Sequence, residues 1–363
     1  MITIGIDPHK RSHTAAAVNP ATGELCDQLT VASDEAGHER LIEWARTLGP
    51  ERLFALEDCR HVSGRLEREL LARGERVIRV PPKLMAGARR SQREFGKSDP
   101  IDALAVARAA LREPNLPAAH LDPKARELKL LLDHREDLVR ERTAQIQRLR
   151  WHLHDVDSGL EPKLRGLRAQ STRRSLAQRL ARREQTVQVS ICRELLGRIS
   201  EISRRERELQ AEISRRVRAY CPQLIELPGC GELTAAKLLA EIAGAERFSS
   251  DAQLARHSGC APLPASSGNS RRHRLSRRGN RELNCAFHRI AVTQARVHPE
   301  ARSYLERKRA EGKSTREALR CLKRHLVRAV WQVLRATPSP ERMISPPPNF
   351  REIKMPTPTL VLT

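Results

Sequence analysis

Over the first 120 residues, short apolar runs alternate with stretches of helical spacing, and few folds fit that order. The runs at 2–6, 52–56 and 76–80 have the length and composition of β-strands, and turn residues at 19–23 between two further runs predict a hairpin. Helical spacing follows the hairpin and each later strand. The order strand, hairpin, helix, strand, helix, strand, helix predicts a mixed α/β sheet with flanking helices.

Four carboxylates stand at the ends of these predicted elements. Asp7 ends the first strand, Glu57 ends the second run, 52–57, and Asp99 and Asp102 open an Ala/Leu-rich helix. Carboxyl ends of strands face the crevice where α/β sheets bind ligands, and helical residues three apart share a face. Carboxylate oxygens are the ligands that Mg²⁺ prefers, and two ions ~4 Å apart can promote attack on a phosphodiester. We therefore predict that the four acids bind Mg²⁺, as a pair of ions.

The same acids also admit a purely structural interpretation. Asp99-Pro100-Ile-Asp102 is a good helix start, with Asp99 as the N-cap, Pro100 at the first position and an acid at the third. Asp7 can likewise simply end a strand. Asp58, next to Glu57, is a weaker candidate because it should face the opposite side if the strand continues.

The charge of the chain indicates its partner. The 363 residues carry a formal net charge of +23, which favours nucleic acid because each cation that neutralises a phosphate releases a counterion. Aromatic residues make up only 3%, so we expect contacts with the phosphate backbone rather than base stacking. An anionic membrane is the rival partner, but no apolar run approaches the ~20 residues of a spanning helix and no signal peptide opens the chain. The eight Cys form no CxxC pair, which fits a reducing cytosol better than a zinc ribbon or a disulfide framework.

Residues 121–221 have heptad-like spacing, which predicts two long helices joined by a basic tip at 163–183. Arg135 and Arg142 take two of the expected apolar positions. An intramolecular hairpin and an intermolecular coiled coil fit this pattern equally, and a structural helix pair with a solvated charged face fits it too. The apolar positions are Leu128, Leu132, Val139, Ile146, Leu149, Leu153 and Val156, then Leu195, Ile199, Ile202, Leu209 and Ile213.

The remainder is predicted to be an all-α domain at 222–336 and a disordered Pro-rich tail at 337–363. Within it, the turn at Gly229 and Gly231 precedes a helix and resembles a helix-hairpin-helix turn, whose backbone N–H groups bind phosphate. An ordinary tight turn is the alternative. A basic loop follows at 261–280. It contains Ser266 and Ser267, and it carries five arginines that are candidate phosphate contacts: Arg271, Arg272, Arg274, Arg277 and Arg278.

Taken together, these motifs resemble the DEDD transposases of bacterial insertion sequences, specifically the insertion-sequence 110 family. The resemblance rests on Gly5-Ile-Asp7-Pro-His-Lys10, on Glu57 at a strand end and on Lys97-Ser-Asp99-Pro-Ile-Asp102-Ala. The segments 227–242 and 267–283 are similar to the family's C-terminal motifs, so the resemblance covers nearly all of residues 1–335. The chain departs from the pattern after Glu57, where Asp-Cys-Arg-His replaces small residues, and at Glu282-Leu-Asn-Cys, which replaces a more basic run.

The resemblance implies a RuvC-like, RNase-H-type fold for residues 1–120 and a C-terminal domain that carries a nucleophilic serine. Ser267, directly before Gly268, matches the serine that forms a phosphoserine link to DNA, and Ser266 is the fallback. Further implications are a structured guide RNA that bridges donor and target DNA, and a homo-oligomer, a dimer or tetramer, whose active sites combine domains of different protomers. The expected location is the bacterial cytoplasm, at the nucleoid.

Two other functions remain compatible with the residues alone. A Mg²⁺-dependent endonuclease of the Holliday-junction type would use the four acids to activate water, with Ser267 a bystander. A non-catalytic nucleic-acid-binding protein would use the acids only as caps and strand ends, and its basic Gly/Ser loop only to touch phosphates.

Overall fold

The computed structural model describes the chain up to Thr337, with several internal gaps. It covers residues 1–82, 84–85, 98–113, 116, 118–120, 122–163, 165–265, 273–274, 276 and 279–337. The serine segment 266–272, the pair 277–278 and nearly all of the Pro-rich tail lie outside the described residues, so the prediction of a disordered tail stays a prediction.

A five-stranded mixed sheet forms the N-terminal part, as the sequence predicted. In chain order, the strands are β1 (Ile2–Pro8), β2 (Ser12–Val18), β3 (Leu25–Ala32), β4 (Arg52–Glu57) and β5 (Val77–Val80). They lie side by side as β3-β2-β1-β4-β5. β2 is antiparallel to both neighbours, whereas β1, β4 and β5 run parallel. This arrangement fits the RNase-H-type fold that the resemblance implied.

Helices cover both faces of this sheet. The helices α1 (Glu35–Thr47) and α2 (Arg60–Ala72) share a core with Ile4, Ile6, Phe54 and Leu56, which alternate along β1 and β4. The intervening residues face the other way, where Ala55 and Val80 pack against Ala105, Val106 and Ala109 of α3 (Asp99–Arg112). The period-two alternation thus directs alternate residues of β4 to two separate cores.

Gly5 lets α3 approach β1 more closely than any side chain would allow. A Cβ atom on Gly5 would lie 2.3 Å from both the Ala103 carbonyl oxygen and the Ala107 amide nitrogen. Two backbone atoms of a helix cannot yield as a flexible side chain can. Glycine in the strand and alanine in the helix therefore set the height at which α3 crosses the sheet.

The long helices pair within one chain. The arm consists of α4 (Pro123–Val156), the tip helix α5 (Gln170–Ala181) and α6 (Val187–Tyr220). Near the tip, Leu149 and Leu153 of α4 share a core with Leu195 and Ile199 of α6. Of the two alternatives that the heptad spacing left open, the structure contains the intramolecular hairpin.

The two arginines in the heptad pattern meet a single buried acid. Arg135 Nη2 lies 2.6 Å from Glu206 Oε1, and Arg142 Nη1 contacts Glu206 Oε2. All three side chains are less than one-fifth exposed. The two cations therefore occupy apolar positions because α6 supplies a carboxylate that bridges them.

The C-terminal region is helical, with one small hairpin. Its elements are α7 (Gln223–Glu226), α8 (Glu232–Ile242), α9 (Asp251–His257), β6 (Leu263–Pro264), β7 (His273–Arg274), α10 (Arg281–Val297), α11 (Pro299–Ala310) and α12 (Thr315–Ala336). One core joins these helices to Leu128 and Leu132 of α4. Lys237, almost fully buried in α8, reaches both Glu136 of α4 and Glu282 of α10 at 2.6 and 2.9 Å. The base of the arm is thus fixed into the C-terminal region.

Across the described ranges, no helix has the length and apolar character needed to cross a membrane.

The contact at Gly5 predicts a large loss of stability in Gly5→Ala. The added methyl group must push α3 away from β1, at a cost of about 3 kcal/mol in the free energy of unfolding. Chemical denaturation measures this. The matched control is Gly64→Ala in α2, where the nearest atom to a new Cβ is a side-chain nitrogen of Arg68 at 3.4 Å. Equal stability of the two variants would contradict the close-packing argument.

Glu206→Gln should destabilise the arm, because two largely buried guanidinium groups lose the charge that balances them. We expect a loss of about 3 kcal/mol in the free energy of unfolding. Glu208→Gln, two residues away on the same helix, changes an exposed acid that pairs with Arg204 and Arg205. That variant should change stability by less than about 1 kcal/mol. Similar losses in the free energy of unfolding for both variants would show that the buried bridge stabilises the arm no more than an exposed ion pair does.

Candidate active site

Two of the four predicted acids lie side by side at one edge of the sheet. β1 and β4 run parallel, with Ile6 opposite Leu56, so the next residues in register are Asp7 and Glu57. Both belong to the face that carries Gly5 and Ala55 and is covered by α3, since the side chains of a strand alternate. Asp7 is only 5% exposed. The prediction that these carboxylates share the carboxyl edge of the sheet agrees with this register.

The start of α3 brings the other two acids to the same edge. Ser98 is the N-cap residue, so Asp99 is already the first helical residue and the predicted N-cap at Asp99 is wrong by one position. Asp102 is buried, at 4% exposure, whereas the Asp99 side chain is about half exposed. Because Ala103 and Ala107 rest on Gly5, the first turn of α3 lies over Asp7.

His9 links two of these acids and was not singled out from the sequence. Its Nε2 atom lies 3.1 Å from Asp7 Oδ2 and 3.3 Å from Asp99 Oδ1. One ligand atom from each of the three residues lies within 4.8 Å of the other two. The sequence signal was the position of His9 two residues after Asp7, just beyond the end of β1.

The electrostatics of the site are those of crowded acids. Burial, more than any other cause, raises the pKa of the Asp7 carboxyl group, and the nearby charges of Asp102 and Asp99 raise it further, while His9 opposes them. The pKa of the Cys59 thiol is also raised, first by burial and then by Glu57, Asp58 and Asp7. The negative potential therefore extends from α3 across the edge to the residues after β4. Such a site favours a bound cation.

Of the serines and arginines predicted to contact nucleic acid in the loop at 261–280, the structure describes one. Arg274 lies in β7 and is exposed. Ser266, Ser267, Arg271, Arg272, Arg277 and Arg278 lie outside the described residues.

In the turn before α8, the first glycine, Gly229, lies close against α10. Gly229 has φ +81°, and a Cβ there would lie 3.1 Å from both the Ile290 carbonyl oxygen and Thr293 Cβ. Gln294 Nε2 donates to the Pro228 carbonyl at 2.7 Å. Around Gly231, by contrast, a Cβ would meet no described atom within 4 Å. Phosphate binding by this turn stays a prediction, and of its two glycines Gly231 has the more open surroundings.

Two family models match the chain. A model of DEDD transposases of the IS110 group, described as "Transposase", matches residues 4–156. A second, described as "Transposase IS116/IS110/IS902 family", matches residues 221–306. The first spans the sheet, α3 and α4, and the second spans the C-terminal region from α7 into α11.

Relatives align over almost the full length. The chain is 28% identical over 381 residues to the "Insertion element IS900 uncharacterized 42 kDa protein" of Mycobacterium paratuberculosis, covering 91% of this chain and 95% of that protein. It is 28% identical over 398 residues to the corresponding 44.8 kDa protein of insertion element IS116 from Streptomyces clavuligerus, covering 96% and 97%.

A solved structure of T. thermophilus RuvC with a Holliday junction substrate is 17% identical, covers 33% of this chain and 99% of that chain, and gives a TM-score of 0.27.

Asp7→Asn should raise the melting temperature at pH 7 in the presence of a chelator. A carboxyl group whose pKa is higher in the folded than in the unfolded chain favours folding at low pH, and its charge opposes folding once the pH exceeds the folded value. The gain should therefore shrink as the pH falls towards about 4, the usual range for aspartate.

Asp27→Asn is the control of opposite sign, because the pKa of Asp27 is lowered, chiefly by the Trp44 indole N–H that donates to it at 2.8 Å. This variant should not raise the melting temperature. A lower melting temperature for Asp7→Asn at pH 7 would contradict the proposed crowding of acids.

Proposed function

Because the chain belongs to the IS110 family of insertion-sequence transposases, enzymes that cleave and rejoin DNA, we propose that Asp7, Glu57, Asp99 and Asp102 form its catalytic centre. The observation that carries this proposal is the convergence of β1, β4 and the first turn of α3 on one edge, with Asp7 and Asp102 both buried there. The charges of Asp102 and Asp99 crowd Asp7, and a bound cation would offset their repulsion.

The donor set suits a hard divalent cation. Carboxylate oxygens are the usual ligands of Mg²⁺, and the raised pKa of Asp7 identifies negative charge that a cation would offset. Imidazole nitrogen suits other metals better, so we assign His9 to the orientation of Asp7 and Asp99 rather than to Mg²⁺. When bound, a pair of Mg²⁺ ions would stabilise the charge that develops on the scissile phosphate.

In the proposed reaction, Ser267 is the nucleophile. Its Oγ forms a bond to phosphorus while the bond from phosphorus to a deoxyribose oxygen breaks. The serine loses its proton and the leaving alkoxide takes one up, so the exchange of ester bonds needs no other reactant. The reverse step, with a hydroxyl of a new strand, rejoins the DNA. The basic residues around the serine, with Arg274 among them, would hold the phosphate.

We further propose the partners that the family resemblance implies. Donor and target DNA, a structured guide RNA and a homo-oligomer, a dimer or tetramer, would assemble at the bacterial nucleoid. The net charge of +23 and the scarcity of aromatic residues support a surface that binds sugar–phosphate backbones of either nucleic acid.

Asp7→Asn and Asp102→Asn should each reduce recombination by at least about 10²-fold, the scale seen when one group that stabilises transition-state charge is removed. The assay is recombination in cells that carry the coding region with its flanking sequence, so that any RNA made from the flanks is present. Asp58→Asn, a change of the neighbouring acid, is the control and should stay active. Normal activity of both site variants would rule out the metal centre.

Ser267→Ala should abolish a covalent protein–DNA band on a nicked suicide substrate. Attack by serine leaves the protein joined to a DNA end, whereas attack by activated water leaves both ends free. A band that persists in Ser267→Ala but disappears in Ser266→Ala would move the nucleophile by one position. Cleavage with free ends in both variants would replace the covalent mechanism with that of a metal nuclease.

A further inference from the structure

A cavity of about 490 Å³ lies in the C-terminal region. The chain before β6, the strand β7 and the helices α11 and α12 line it. The lining includes Arg274 and Ser276 of the segment 267–283 but none of the four acids. Its lining contains six cations, namely Arg274, Lys308, Lys313, Arg320, Lys323 and Arg324, against two acids, Glu311 and Glu317.

Some of this positive charge is already balanced. Lys308 Nζ lies 2.8 Å from Glu311, Arg320 lies 3.6 Å from Glu317, and Arg324 Nη1 lies 2.8 Å from Asp251. No carboxylate of the described residues lies within ion-pair distance of Lys323. The cavity therefore keeps an excess of positive charge that an anionic ligand would neutralise.

Lys323 is the most buried of these cations. It is 5% exposed, and its Nζ donates to Asn284 Oδ1 at 2.6 Å. Asn284 Nδ2 in turn donates to the carbonyls of Ser258 and Gly259, both at 3.0 Å, which fixes the amide so that its oxygen faces the lysine. An ammonium group has three N–H donors, and one neutral acceptor neither uses them all nor balances the charge.

The electrostatic setting of Lys323 agrees with an incomplete site. Burial lowers the pKa of its ammonium group, and the nearby charge of Arg320 lowers it further, although Cys260 and Cys285 act in the opposite direction. A buried charge is costly unless it is paired. A bound anion would supply the missing partner.

The lining favours a phosphate group over a stacked base. Of the rings in the lining, Tyr304 has Arg307 and Lys308 over it at 5.3 and 5.6 Å and is packed edge to face with His325. Its surface is thus already covered. Arg320 Nη2 donates to the His273 carbonyl at 3.2 Å, which ties α12 to β7 at the rim. These contacts leave N–H donors, rather than an aromatic platform, for a ligand.

We propose that this cavity holds one phosphodiester group of a nucleic-acid strand, with Lys323 Nζ and the Arg320 guanidinium as its ligands. The inference rests on the proposed function and extends the nucleic-acid contact at Arg274 to two residues of α12. A strand held there passes the small hairpin formed by β6 and β7.

The test uses the full chain and fluorescent duplex DNA and hairpin RNA of random sequence, titrated separately over a range of NaCl concentrations. Lys323→Met should weaken binding about tenfold for at least one of the two, and the slope of log affinity against log salt should fall by about 1. Arg320→Gln should do the same. The nucleic acid with the larger loss is the one that occupies the cavity.

Arg316→Met is the matched control, because it removes the same charge from an exposed position on α12 that does not line the cavity. It should weaken binding by less than about twofold. Melting temperatures are measured for every variant. If Lys323→Met does not fold, Arg320→Gln decides, since its side chain is about one-third exposed.

Two failures can be told apart. If the native chain binds neither nucleic acid, or binds both with an affinity independent of salt, the proposed function and the cavity site both fall. If the native chain binds with a steep salt dependence and the two cavity variants match Arg316→Met, only the cavity site is wrong.

Discussion

The contact between Gly5 and the backbone of α3 determines where the acids of this protein can meet. A strand and a helix normally stand apart by the thickness of their side chains, but here a glycine faces two alanines and the helix lies directly on the strand. That approach brings the first turn of α3 over the end of β1. Asp102 is then buried beside Asp7, although 95 residues separate them along the chain.

Much of this arrangement was predictable because it depends on local patterns. Strand ends follow from apolar runs and turn residues, and parallel strands that end at the same edge place Asp7 beside Glu57. The helix start was predicted to within one residue, since Pro100 fixes the first turn. The role of Gly5 was not predictable, because a close approach depends on which helix packs against the strand.

The errors and omissions have the same origin. His9 lies two residues from Asp7 but 90 residues from Asp99, so only the fold reveals that it contacts both acids. Arg135 and Arg142 looked like breaks in a heptad pattern because their partner, Glu206, is more than 60 residues away. Lys323 sits in an ordinary amphipathic helix, and only the packing of α10 and α11 around α12 shows that it is buried. Asp58 and its neighbours depart from the family pattern, and Glu57 pairs in register with Val80 of β5.

Negative and positive charges are concentrated in different regions of the molecule. The acids at the sheet edge repel one another, whereas the C-terminal cavity and the tip of the arm hold an excess of cations. A negatively charged polymer would bind to the basic surfaces and be repelled from the acidic edge unless cations covered it. In the proposed reaction, the basic regions would supply most of the affinity for nucleic acid, and the acidic edge would need bound cations before a strand could approach it.

The arm also has a fixed length. α4 contains 34 residues, which at 1.5 Å per residue extend about 50 Å. Its first turns are fixed in the C-terminal core, and the segment before it pairs with β5 through Ala118 and Ile78. With base pairs stacked about 3.4 Å apart, a straight duplex laid along the arm from base to tip would measure about 15 base pairs. The length of the hairpin therefore limits how long a straight duplex could lie against it, and shortening the hairpin by whole heptads would reduce that limit in steps of about three base pairs.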